Sequence, residues 1–409
     1  MNHATKLADP DRRKHTRRLS LPVVERETPA PAPLLAPPTK TEGDPFNSHK
    51  ILNHFDRISA FVRGDLVYPI TVEIDPTNVC NHRCQWCVSI EAHTGEVLEV
   101  SRFAALIDEL KQSDVKSIVL KGGGEPTTHT HFIEMLDIAR NSGMDIGLIT
   151  NGSMPRRGSR EKIVECCDWV RVSLDAATPR THREIHGTSD FTRILQNVEY
   201  LTQACTDRNV CATEENASVT GKKSGPMVGL NFVAEPRNHQ EMVDFARLGK
   251  SIGAAYVTIR CVFDPTNPLS DDMRAAMRAE AQAAKAIEGA NFRVFLGNFT
   301  DRYLNADPNG AFPYQRCLGP NLIGIVGGDG EVYACCFLRG NKKFSFGNVN
   351  QQGFSDIWKS ERRQDVMNAV YRGECNRVCA GGMTANRYNT YNEILNYLSA
   401  EEKKHANFA

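Results

Sequence analysis

Residues 68–91 read YPITVEIDPTNVCNHRCQWCVSIE. From Ile70 to Asp75 the run is apolar and β-branched and ends at a Pro-containing turn, the pattern of a strand buried in a sheet. Directly after it, Cys80, Cys84 and Cys87 fall within eight positions. Three thiolates on one short loop point to a metal. A structural zinc closes its tetrahedron with four ligands, and His82, between two of the cysteines, is awkward to aim inward as the fourth. Thiolate sulfur suits iron–sulfur clusters as well as zinc. A four-iron cluster held by three cysteines would keep one iron open for another ligand.

Working outward, the same style of strand recurs as SIVLKG (117–122), DIGLIT (145–150), WVRVSL (169–174), VGLNFV (228–233) and YVTIRC (256–261). Amphipathic helical stretches separate them, starting at Ser101, His131, Thr192 and Asn238. Strand and helix in alternation predict a parallel sheet covered by helices. Six units fit an open, partial (β/α)6 TIM-like barrel better than a closed eight-unit one. Chemistry in such folds sits at the C-terminal ends of the strands. Cys80, Gly123, Asn151, Asp175 and Arg260 all fall there, so one mouth can collect them.

The chain has 409 residues, 41% hydrophobic and 24% charged, with Lys plus Arg equal to Asp plus Glu at 49 each. No net field draws in nucleic acid or an anionic membrane, and no apolar run spans a bilayer or serves as a secretory signal. A cytoplasmic location is expected. Thirteen cysteines, an odd number in tight clusters, favour metal ligation over disulfides. Residues 1–44 join a basic octamer, DRRKHTRR, to a Pro- and Ala-rich run, and read as a disordered tail. The barrel is expected over 45–295, interrupted by a polar insertion at 206–226. A second, small domain rich in Gly and Cys is expected over 312–395, organised by metal rather than by a large core.

Cys80, Cys84, Trp86 and Cys87 resemble the CxxxCxφC loop, with φ aromatic, of the radical S-adenosylmethionine (radical SAM) enzymes. KGGGEPTTH after the second strand resembles the family's GGE-type motif, and LITNGS and RVSLDA resemble its segments after the third and fourth. The resemblance implies a [4Fe-4S] cluster on Cys80, Cys84 and Cys87 whose open iron chelates SAM. It implies SAM contacts from Gly123, Gly124 and Glu125, with Trp86 walling the adenine and Ser173, Asp175 and Asn231 near the ribose. It further implies reductive cleavage of SAM to a 5′-deoxyadenosyl radical, hydrogen abstraction from a substrate, and reduced flavodoxin or ferredoxin as electron donor. Such chemistry needs a dry, enclosed site.

Downstream, Cys317, the Gly330-x4-Cys335 element, Cys336, Cys375 and Cys379 resemble a SPASM or shortened twitch extension. A full SPASM extension carries about seven cysteines. Five imply one auxiliary [4Fe-4S] cluster on Cys317, Cys335, Cys375 and Cys379, with Cys336 a fifth thiol of open role. The same four thiolates would also make a structural zinc site. Cys166 and Cys167 read as buried thiols. Cys261, at the end of the sixth strand, reads either as packing or as a hydrogen-atom donor to a substrate radical.

Peptide-modifying relatives often carry an N-terminal recognition module, for which the lead-in NSHKILNHFDRISAFVRGD leaves no room. The lead-in and first motif also look like enzymes of aminoglycoside and sugar biosynthesis. The expectation is therefore a small substrate, a sugar or aminocyclitol, that is dehydrogenated, epimerised or dehydrated. The alternatives are a peptide or protein maturase and, from a different class, a non-catalytic metal-organised protein whose basic tail recruits RNA.

Overall fold

Each of the six expected strands forms, and in the expected order. A computed structural model describes residues 48–206, 225–262, 269–297, 314–375 and 385–400. In it β1 (Thr71–Ile74), β2 (Ser117–Leu120), β3 (Asp145–Thr150), β4 (Trp169–Ser173), β5 (Met227–Ala234) and β6 (Tyr256–Cys261) pair in parallel, each with the next. The connecting helices include α2 (Val100–Gln112), α3 (Phe132–Ser142), α4 (Ser159–Cys166), α5 (Pro179–His186), α6 (Phe191–Thr206) and α7 (Met242–Ser251), preceded by α1 (Phe55–Val62). The tail at 1–44, most of the polar insertion and Cys379 lie outside the described residues.

Side-chain alternation along the strands sets the two faces. In β4, Val170 and Val172 are fully buried under the helices, whereas Trp169, Arg171 and Ser173 on the other face are only half-buried. The outer layer is one apolar cluster in which Val72, Ile74, Phe103, Leu106, Ile118, Leu148, Val170, Leu230 and Phe245 pack together. The inner face is polar, and this leaves the strand ends free for a site.

The sheet runs further at both edges than the sequence pattern indicates. After α8 (Asp271–Lys285) the short strand β7 (Arg293–Gly297) adds in parallel to β6. On the other side β8 (Ile323–Val326) pairs in parallel with β1, residue for residue from Thr71 opposite Ile323 to Ile74 opposite Val326. The antiparallel strands β9 (Glu331–Tyr333) and β10 (Ser345–Asn348) follow, giving ten strands in one sheet among the described residues.

The C-terminal segment also adds apolar residues to the main core. Val326, Val332, Phe344, Phe346, Phe354 and Trp358 belong to the same buried cluster as the barrel helices. In α9 (Phe354–Lys359), Trp358 stacks on Phe354 and donates its indole N–H to the carbonyl of Val67 in the lead-in, 2.8 Å away. The helices α10 (Glu361–Tyr371) and α11 (Ala385–Leu398) complete the segment. Among the described residues no helix is long and apolar enough to cross a membrane.

Candidate active site

The loop after β1 is stitched to the loop after β2 by main-chain hydrogen bonds. Gly124 N–H donates to Thr77 O (3.0 Å) and Glu125 N–H to Val79 O (2.9 Å). The two backbones are so close that a Cβ on Gly124 would lie 2.1 Å from Val79 O, and one on Gly123 2.5 Å from Asn78 Oδ1. Only glycine permits this approach.

On that platform Cys80, Cys84 and Cys87 are half-buried, and Cys84 is close enough to the other two to feel their charges. Burial pushes all three thiols up, Cys80 to about 11. Metal must therefore displace protons to bind here. Three thiols near enough to interact, beside a cradle that any side chain would fill, fit an open-iron cluster with a small ligand. Trp86 is half-buried between Cys84 and Cys87.

Behind the loop His82 meets two histidines, His182 and His186, that are absent from the sequence reading. His186, last residue of α5, approaches Cys84 Sγ through Nδ1 at 3.1 Å, and its Nε2 lies 3.1 Å from Asp175 Oδ2. His182, one turn earlier, stacks on it with ring centres 4.6 Å apart. His82 turns away from the thiols: its Nε2 lies 3.3 Å from Asp190 Oδ2, and its Nδ1 is 3.5 Å from that of His186. Burial holds His82 and His182 down to about 4, so both are neutral at ordinary pH. The spacing of His182 and His186, four apart behind a Thr-Pro helix start, is the signal that would have revealed them.

Glu125 is enclosed. Its Oε1 accepts from Thr127 N (3.1 Å), Thr127 Oγ1 (2.7 Å) and Thr150 Oγ1 (2.6 Å), and its Oε2 from Asn151 N (2.7 Å). Asn151 in turn donates through Nδ2 to Asn81 Oδ1 in the cysteine loop, 2.9 Å away. One carboxylate thus ties the loops after β2 and β3 to the thiols.

Asp175 is braced as well. At φ 55° its side chain turns back to accept Val233 N–H at 2.7 Å, while Asn238 donates to its carbonyl at 2.9 Å. Ser173 faces the inner side of β4, level with Asn231 on β5. Asn231 Oδ1 is buried with no hydrogen-bond partner among the described residues, an acceptor left for a hydroxyl. Cys261 points elsewhere: it is buried in the outer core with Sγ 3.7 Å from Met277 Sδ on α8, and burial pushes its thiol up to about 11. The hydrogen-donor expectation for Cys261 therefore loses its geometry.

From the C-terminal segment Arg339 enters the inner face. It grips Asp75 with two bonds, Nε to Oδ2 at 2.6 Å and Nη2 to Oδ1 at 3.1 Å, and donates from Nη1 to Cys336 O at 2.9 Å. Glu73 lies 3.5 Å from Arg339 Nη2 and 2.9 Å from Lys121 Nζ. Cys336 is buried, and a hydrogen bond from Cys335 holds its thiol down to about 6. Cys317, Cys335 and Cys375 are half-buried against the main core.

Residues 74–216 match the radical SAM superfamily model, and residues 317–381 match SPASM, an iron–sulfur cluster-binding domain. This chain is a radical SAM enzyme with a C-terminal SPASM domain, and its cofactors are SAM, a [4Fe-4S] cluster and auxiliary iron–sulfur. The zinc alternative is thereby set aside. Among its relatives, the mycofactocin maturase MftC of Mycobacterium tuberculosis is 26% identical over 348 residues, covering 81% of this chain and 82% of that one. A tungsten-containing aldehyde ferredoxin oxidoreductase cofactor-modifying protein of Pyrococcus furiosus is 23% identical, covering 71% and 80%. Among solved structures, Streptococcus suis SuiB bound to the precursor peptide SuiA matches with TM-score 0.57 at 14% identity, covering 81% and 74%.

These relatives overturn the expectation of a sugar or aminocyclitol substrate. A maturase shares four-fifths of its own length with this chain, so the short lead-in does not set this chain apart from a maturase.

Proposed function

We propose that this chain is a maturase, modifying a peptide or protein by hydrogen abstraction. The carrying observation is the similarity to MftC, which extends through barrel and SPASM domain together. When bound, the cluster and SAM supply the 5′-deoxyadenosyl radical. Cys80, Cys84 and Cys87 hold that cluster in this reading. Gly123 and Gly124 let the main chain approach SAM, and Glu125 fixes the loops around it. Trp86 borders the adenine, Ser173 and Asn231 face the ribose hydroxyls, and Asp175 keeps Asn231 and His186 in place.

In this reading the segment 45–295 serves SAM and substrate. The segment 312–395 holds one auxiliary [4Fe-4S] cluster through Cys317, Cys335, Cys375 and Cys379. Cysteines gathered as cluster ligands suit a reducing compartment, and a cytoplasmic location belongs to the same reading.

The test is anaerobic reconstitution followed by dithionite and SAM, with short peptides encoded beside this gene as substrates. The expected result is about eight irons per chain, given two four-iron clusters, and a SAM-dependent mass change in one peptide accompanied by 5′-deoxyadenosine. A small molecule that turns over while every neighbouring peptide stays unchanged would overturn the reading.

A further inference from the structure

Asn392 lies on α11, beyond the residues that match the SPASM model. Its side chain is fully buried. Oδ1 accepts two backbone N–H groups, from Leu318 at 2.6 Å and from Gly319 at 2.8 Å. Two donors on one oxygen fix which end of the amide is which. The NH2 end is therefore the one turned to Cys317, with Nδ2 3.5 Å from Sγ. One turn later Asn396 donates to Arg316 O at 2.8 Å and accepts from Arg316 N at 3.2 Å. Residues four apart share a helix face, so this face of α11 grips the segment that carries Cys317.

We propose that Asn392 is a positioning residue for the auxiliary cluster, donating an N–H···S hydrogen bond to the Cys317 thiolate. This rests on Cys317 being a cluster ligand. A donor on a ligating sulfur withdraws electron density and favours the more negative, reduced cluster, so the reduction potential rises. The amide of Asn392 is fully buried, so water does not compete for its N–H. The helix after the SPASM domain then sets how readily the auxiliary cluster accepts an electron.

The test uses the full chain with Cys80, Cys84 and Cys87 all replaced by Ala, so that any cluster is the auxiliary one. Asn392→Asp keeps an acceptor for Leu318 and Gly319 but has no N–H. With iron content equal to the parent, its midpoint potential should move to a more negative value. The reduced parent, labelled with [15N]asparagine in D2O, should show an exchangeable deuteron and a 15N coupled to the cluster. N392D should lose both couplings, a change that its added charge alone does not produce.

If the triple variant binds no iron, the reading of Cys317 fails and the proposal with it. If iron binds but the labelled parent shows no asparagine coupling, the proposal alone fails. The parent measurement decides even where N392D does not load.

Discussion

Replacing Arg339 by Met tests the link between the SPASM segment and the strand that launches the cysteine loop. Asp75 is fully buried, and the Arg339 side chain is 2% exposed. Removing one partner of a buried, bidentate pair leaves a charge without compensation, at a cost of about 3–5 kcal/mol. Denaturant unfolding of the anaerobic protein should show that loss. The double variant D75N/R339M, which removes both charges, should recover at least half of it.

The pH dependence has a definite sign. Burial raises the Asp75 carboxyl above its ordinary range, and the Arg339 charge and hydrogen bonds pull the other way. In R339M the folded-state value therefore climbs further above the unfolded one. A raised carboxyl contributes stability that is present at low pH and lost as pH rises through the folded value. The R339M deficit should thus be small in acid and widest near neutrality. A variant within about 1 kcal/mol of the parent at neutral pH, well below the buried-pair cost, would refute the pairing.

Three further substitutions probe the site. Glu125→Gln sets an NH2 group against a backbone or hydroxyl donor, and should cost about 2–3 kcal/mol and weaken SAM binding; unchanged denaturation and affinity would mean that the side chain is protonated. Gly124→Ala forces the loop at Val79 to move, and should cost about 1–3 kcal/mol with a loss of SAM affinity measured by equilibrium dialysis. Unchanged affinity would show the cradle to be slack. Cys261→Ala should lower stability by about 1 kcal/mol and leave the yield of product per 5′-deoxyadenosine within about twofold of the parent, a margin of under 0.5 kcal/mol. A collapse of that yield with SAM cleavage intact would restore the hydrogen-donor role.

The barrel was legible because each strand is a β-branched run ending at a turn, and the cysteine loop because its spacing is specific. Less legible were β7 and β8. Arg293–Gly297 and Ile323–Val326 are short, and their strand character comes from the neighbour they add to, a tertiary effect. Glu125 and Asp175 were located correctly at strand ends, but their partners, Thr150, Asn151, Val233 and His186, come from other units and leave no local trace. For Cys261 the sequence left packing and hydrogen donation open, and the structure packs it in the core. Its place at a strand end was right, and the period-two alternation that turns it from the mouth was readable from Arg260 beside it.

The pairing of β8 with β1 also bears on how the protein is made. β1 acquires its second neighbour only from residues about 250 positions later in the chain. Until Ile323–Val326 has been synthesised, the strand that presents the cysteine loop has an open edge, able to pair with another chain. Contacts so distant in sequence form slowly, and domains begin folding as they leave the ribosome. Iron delivered early would meet a loop whose supporting strand is half-paired.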